Sequence, residues 1–319
     1  MGQRGNYIIK NQNTLTIHYT HWRANCIAKD LYLGENQFLQ YVSECKITDE
    51  IINYPWLEGC VIIDKQAKHL YFWSWETPNL TSVINYYLLE LQGKWIGWHV
   101  EHLPNRMYDV EKLLGIDYIS KQDFSEPDTN TKEEIIADKV EDWETTTVLV
   151  KQADDVFVTK TGNITIKSII SYGPEVIKLL KFKPRYELPK EDDSTQESIV
   201  FDIDSKTIFI SQSELGLWEQ TAHLWTGYKL VMGDIGYIST LKIAGIDTTN
   251  LILAQNKISE EFTALVSQTR DFNPTEFSQR FIQDQKDVVF HPYFFDNAKP
   301  RKTFIEIFRT KLKALFKKK

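Results

Sequence analysis

Two His-x-x-His pairs, His18/His21 and His99/His102, are the first residues here whose types and spacing suggest chemistry. Imidazoles three residues apart share a metal only where the backbone turns, because positions i and i+3 of a strand face opposite sides. A structural zinc site also wants four nitrogen or sulfur ligands, and Cys26 and Cys45 are not closely paired. The spacing therefore predicts no metal. For nucleophilic catalysis there is no GxSxG elbow, no P-loop and no GxGxxG. Cys26 lies close to His18 along the chain, which does not by itself make a triad. Glu58 with Asp64 or Glu76 is a carboxylate pair of the kind that does general acid–base work, in a pattern common to acidic chains. No cofactor is predicted.

The densest cluster is His18-Tyr19-Thr20-His21-Trp22-Arg23-Ala24-Asn25. With Trp73, Trp75, Glu76, Trp98 and His99 it supplies the candidate binding residues: His18, His21, Trp22, Arg23 and Asn25 from the cluster itself, and the five that follow. If the chain is an enzyme, His21, Arg23 and Glu76 are the candidates for catalysis, most simply of a hydrolytic reaction. On a strand, His18 and Thr20 face one side and Tyr19 and His21 the other. Trp22 to Asn25 are expected to turn into a helix. Trp73 and Trp75 are expected on one face of their strand. The competing reading is a polar rim that only covers the end of a sheet.

The elements that position these residues occur twice. "YIIKNQNTLTIHYT" from Tyr7 matches "VLVKQADDVFVTKT" from Val148, and "CVIIDKQAKHLYFWSWE" from Cys60 matches "SIVFDIDSKTIFISQSE" from Ser198. Each pattern is a hairpin: an apolar run, a polar turn, then a second β-rich run. Asp64 matches Asp202, Lys68 matches Lys206 and Glu76 matches Glu214, and the Asp pair is expected to cap the hairpin turns. Each copy ends in a helix followed by Gly, in "LLGID" and "IAGID".

The expected architecture is α+β, with two tandem divergent copies of a β-β-α-β-β-α-β-α unit on largely antiparallel sheets. The expected boundaries are 1–120 for the first copy, 121–146 for an acidic linker, 147–249 for the second copy and 250–319 for a helical extension. The copies are expected side by side as a pseudo-dimer. Between the copies, His18 stands against Thr159, His21 against Gly162, Trp22 against Asn163 and Arg23 against Ile164. Trp73 and Trp75 stand against Ser211 and Ser213. What only one copy keeps is a candidate for a task, so the first copy is expected to carry the site.

Composition narrows the classes. The chain has 319 residues, 42% hydrophobic and 25% charged, which is enough for a sizeable core. A net charge of -7 argues against nucleic acid as the main partner, since phosphate contacts want a basic face. Three cysteines, with no CxxC, fit free thiols in a reducing compartment. No apolar run reaches the roughly 20 residues of a membrane span, and no signal peptide is visible. A cytoplasmic protein is expected. In the tail, Phe304, Ile307, Phe308, Lys311, Leu312, Leu315 and Phe316 fall at i, i+3, i+4 spacing, an amphipathic basic helix suited to peripheral contact with an anionic membrane or to a partner groove.

The opening Met1-Gly2-Gln3-Arg4-x-Asn6, followed by Tyr19-x-His21-Trp22-x-Ala24-Asn25, resembles a group of bacterial proteins that begin M-G-Q-R-x-N and carry Y-x-H-W-x-A-N at the same distance. The resemblance covers the first copy and implies no activity. The expectation from all of this is a non-enzymatic bacterial protein that binds a protein partner, or else a small-molecule ligand, through the first copy. An immunity or defence role would suit its acidity.

Overall fold

The computed structural model describes residues 3–12, 14–77, 80–124, 131–137, 145–162, 164–188, 196–249 and 255–267, together with 275, 278, 279, 294 and 295. The tail positions 304–316 lie outside the described residues.

The first unit begins with β1 (Gly5–Asn11) and β2 (Thr14–Thr20), then α1 (Ile27–Tyr32), α2 (Glu35–Glu44) and a short β3 (Lys46–Thr48). It continues through β4 (Gly59–Asp64), β5 (His69–Ser74), α3 (Thr81–Gln92), β6 (His99–His102) and α4 (Met107–Leu114). A short α5 (Lys132–Ala137) follows. The second unit holds β7 (Thr145–Gln152), β8 (Asp155–Thr161), α6 (Ile166–Ser171), α7 (Val176–Leu180), β9 (Gln196–Asp202) and β10 (Thr207–Ile210). It closes with α8 (Leu217–Thr221), β11 (Lys229–Met232) and α9 (Gly236–Ile243), and α10 (Gln255–Ser267) lies beyond it.

The sheets have the orders β3-β2-β1-β4-β5-β6 and β11-β10-β9-β7-β8. Reversed, the second is the first without β3, so the architecture is α+β with a duplicated unit. Both sheets are mixed. Among the described residues, five of the nine strand pairings are antiparallel, made by the four hairpins and by β3 on β2. The other four are parallel, because a helix carries the chain back to the same end before the next strand begins. The copies keep separate sheets rather than one continuous sheet.

The duplication extends to single hydrogen bonds. Asp64 Oδ1 accepts from the Ala67 N–H and Asp202 Oδ1 from the Ser205 N–H, both at 2.9 Å, so both aspartates cap their hairpin turns. Trp95 and Trp225 are both buried, and their indole N–H groups donate to the Leu31 and Ile170 carbonyls, each at 2.8 Å. The left-handed turn residues also match: Gln12 with Ala153, Lys68 with Lys206, and the helix-ending Gly115 (φ 63°) with Gly245 (φ 85°).

Each sheet separates two apolar layers. On the first, Tyr7, Val61, Ile63, Leu70 and Phe72 face the α1–α3 side, while Ile8, Cys60, Ile62 and Trp73 face the α4 side. That is the period-2 pattern of strands buried on both faces. The α1–α3 layer is completed by Phe262 and Leu265 of α10, so this helix packs on the first copy. The α4 layer is completed by Leu215 of the second copy.

The copies meet reciprocally. Thr81, at the start of α3, donates to the Ile235 carbonyl beside α9 at 2.8 Å. Tyr108 of α4 donates to Glu219 of α8 at 2.8 Å. Since α3 corresponds to α8 and α4 to α9, these contacts are mutual images, as in an isologous dimer interface. Near the centre, the Asp234 N–H donates to the carbonyl of Pro104, its counterpart in the first copy, at 2.7 Å.

Candidate functional site

Most of the cluster at His18–Asn25 is interior. His18, Tyr19, His21, Trp22 and Asn25 are buried, and the sheet divides them. His18 lies on the α1–α3 side, its Nδ1 at 3.3 Å from the Cys45 carbonyl. On the same side Thr20 accepts from the Tyr41 hydroxyl at 3.1 Å. Tyr19 and His21 lie on the other side, with 2.5 Å between the Tyr19 hydroxyl and His21 Nδ1. Trp22 to Asn25 turn into the helical segment as expected, pinned by the Gln3 N–H on the His21 carbonyl (2.8 Å) and the Ala24 N–H on the Gln3 carbonyl (2.9 Å).

Two of these side chains have structural work that their sequence neighbours do not disclose. Arg23 grips the fully buried Asp30 with two N–H groups, Nε at 2.8 Å, and lies 5.4 Å from the Tyr41 ring centre. Burial alone would lower the Arg23 pKa, but the hydrogen bonds and charge of Asp30 more than offset it and hold the guanidinium charged. Trp22 donates its indole N–H to the Phe294 carbonyl at 2.7 Å, and the two rings meet edge-on at 5.1 Å. Asn25 is buried, and neither end of its amide finds a hydrogen-bond partner among the described residues.

The expected His/Trp/Arg surface is therefore largely core. Trp73 is fully buried whereas Trp75 is 47% exposed. The two do not share a strand face, because β5 ends at Ser74 and the alternation stops there. Trp98 is buried against Trp95 and donates to Glu35 at 2.9 Å. His99 is exposed at the sheet edge, 3.1 Å from Glu101. Of the three catalytic candidates, Arg23 is committed to Asp30, whereas His21 lies against Tyr19, Trp22 and Phe294.

What the fold assembles instead is a rim at one end of the first sheet, on its α4 side. Arg4 and Glu58 immediately precede β1 and β4 and are tied by the Glu58 N–H on the Arg4 carbonyl at 2.8 Å. The Trp75 N–H then donates to the Glu58 carbonyl at 3.0 Å. The Arg4 guanidinium sits 4.8 Å from the ring centre of Trp56, which is 57% exposed. Burial, and then the charge of Glu76, push the Glu58 pKa up to about 7, with Arg4 pulling the other way. Of the two carboxylate pairings open to Glu58 by sequence, the structure makes the one with Glu76. Asp64 stands at the far end of β4, paired with Lys10 at 3.3 Å.

Sequence reasoning missed Arg4, Trp56 and Asp30 as functional or supporting residues. Arg4 stood in the opening motif, and a lone Trp56 beside Pro55 gave no periodic signal. The cysteines are free and buried, and burial lifts the Cys60 thiol to about 12, which keeps it protonated. Among the described residues, no group of three or more His, Cys, Asp or Glu is placed to hold a metal, and no helix is long and apolar enough to cross a membrane.

The equivalent rim of the second copy is occupied. There Ser213 replaces Trp75 and is buried, its N–H donating to Asp234 Oδ1 at 3.0 Å. Glu214 replaces Glu76, and burial raises its pKa while Arg106 of the first copy opposes the rise. No protein-family model, curated protein or solved structure matches this chain.

Proposed function

We propose that the chain is a binding module that takes a protein partner on the first-copy rim formed by Arg4, Trp56, Glu58, Trp75 and Glu76. The observation that carries this reading is the pair of exposed indoles, Trp56 and Trp75, set around a tied arginine and two carboxylates. Tryptophan and arginine are the side chains that most often anchor protein interfaces. Tryptophans with about half their surface open cost free energy in water unless something covers them. The duplicated fold strengthens the argument, because the same edge of the second copy is covered by the first. A net charge of -7 favours a basic partner, and an immunity or defence role, with the chain holding such a protein inactive in a bacterial cytoplasm, fits that charge.

The test is affinity capture from native lysate with wild type and a Trp56→Ala/Trp75→Ala double variant. Both side chains are exposed, so the variant should fold. A partner held by wild type and lost by the variant supports the rim. Equal retention overturns it.

One observation favours a second reading. Glu58 titrating near neutrality beside Glu76 is the environment of a general acid, so the rim would suit acid–base hydrolysis. A Glu58→Gln variant that still captures the partner excludes an essential charge at Glu58 in binding. One that binds a substrate without turning it over supports the enzyme.

A further inference from the structure

Between the two copies lies a cavity of about 300 Å³, near the lower end of the range for small-molecule sites. It opens where α3 and β6 of the first copy face the start of α9 in the second. Ile84, Leu88, Val100 and Ile235 give it apolar walls. Asn85, His102 and Ser239 supply polar groups. The His102 Nε2 is sealed from solvent and has no hydrogen-bond partner among the described residues. A buried polar atom left so is costly to the fold. The rest of the ring packs edge-on against Phe72 at 5.4 Å.

The charges around the cavity decide what it accepts. Asp234 is in the wall: its carboxylate accepts from Arg106 at 2.8 Å and from the Ser213 N–H at 3.0 Å, while its own backbone N–H donates to the Pro104 carbonyl at 2.7 Å across the junction. Glu101 adds a second carboxylate at the exposed side. The nearby cation, Arg106, is already spent on Asp234. His102 titrates below its ordinary value, first through burial, with Arg106 adding to the fall and Asp234 and Asp109 opposing it, so the imidazole is neutral at pH 7. An anion would meet two carboxylates and no uncommitted lining cation.

We infer that this junction is a binding site for a small uncharged molecule with an apolar, flat body and a hydrogen-bonding edge, of neutral nucleoside size. The walls from two copies would hold the faces of such a ring. Asn85 and the Ser239 hydroxyl, which lies 3.4 Å from Thr81 Oγ1, would meet its donors and acceptors. Because both copies contribute, the site exists only in the assembled pair. This inference does not rest on the rim reading, and either can fail alone.

Isothermal titration of the full chain with adenosine, cytidine and uridine, and with adenosine monophosphate as the anionic control, tests it. At least one nucleoside should bind with Kd below about 1 mM, a free energy beyond about -4 kcal/mol. The monophosphate should bind at least tenfold more weakly than adenosine if adenosine is the one taken. Ser239→Leu, which fills the cavity, should weaken binding at least tenfold. Should Ser239→Leu not fold, Asn85→Leu on α3 serves in its place. Silence from all three nucleosides overturns the inference, as does a monophosphate that binds as tightly as its nucleoside, or binding that survives the filled cavity.

Discussion

Arg106 of the first copy and Asp234 of the second form an ion pair at 2.8 Å, with side chains 15% and 6% exposed, at the point where the two copies meet. Asp234 also accepts the Ser213 N–H at 3.0 Å, so one carboxylate satisfies a cation and a backbone donor together. Removing one member of a buried pair leaves the other charge uncompensated, typically at a cost of about 3–5 kcal/mol. Asp234→Ala should lose stability of that order. Urea unfolding followed by fluorescence checks it, and a loss under about 1 kcal/mol would show the pair to be dispensable.

Trp95 and Trp225 test the duplication from within. Each indole donates to a buried carbonyl at the matching place, Leu31 or Ile170. Trp95→Phe and Trp225→Phe keep an aromatic ring but drop the donor, which should cost about 1–3 kcal/mol each. Trp75→Ala, at an exposed position, should stay within about 0.5 kcal/mol of wild type. Thermal denaturation of the three variants ranks them, and a Trp75 loss as large as the other two would contradict its placement.

Gly59 lets the helical side approach the sheet. A Cβ there would stand 2.5 Å from Ile27 Cδ1 and 3.1 Å from the Trp73 carbonyl. Gly59→Ala should destabilise by about 1–3 kcal/mol through overpacking. Ile27→Val removes the Cδ1 methyl, so the double variant should recover part of the Gly59→Ala loss. A double-mutant cycle with no coupling would refute the contact.

Glu58 makes stability depend on pH. Its folded pKa is about 7, above the ordinary 4.5, so the folded state holds a proton that the unfolded state releases. The sign follows: stability is greatest below about 4.5 as far as this group is concerned, falls as pH rises toward 7, and stays reduced above it. Burial and Glu76 act to raise it, and Arg4 acts to lower it. Glu58→Gln should flatten this fall and be more stable than wild type at pH 8. Denaturation midpoints at pH 5.5 and pH 8 decide, and an unchanged pH slope would remove Glu58 as its source.

The duplicated unit was legible because strands, turns and capping residues carry local signals. Asp64 and Asp202 announce their turns, and Gly115 and Gly245 their helix ends. The mixed character of the sheets was not legible, since parallel pairing of β1 with β4 is decided by where a helix delivers the chain. The site was harder still. Burial of Trp22 depends on Phe294, far along the sequence, and commitment of Arg23 depends on Asp30, which no pattern singled out. Trp73 and Trp75 have the same parity, yet the strand ends between them. Which edge of the duplicated unit stays open depends on how the copies dock, and that geometry is written in no single motif.

The packing of the first sheet also sets an order of events during synthesis. All its strands are available once residue 102 has emerged from the ribosome. Its α4 face is then still waiting for Leu215, and its helical face for Phe262 and Leu265. A nascent chain stalled near residue 200 therefore carries a finished sheet with both apolar faces incompletely covered, the kind of surface that chaperones engage and that drives aggregation. The protein's first half completes its core only when nearly all of the described chain has been made.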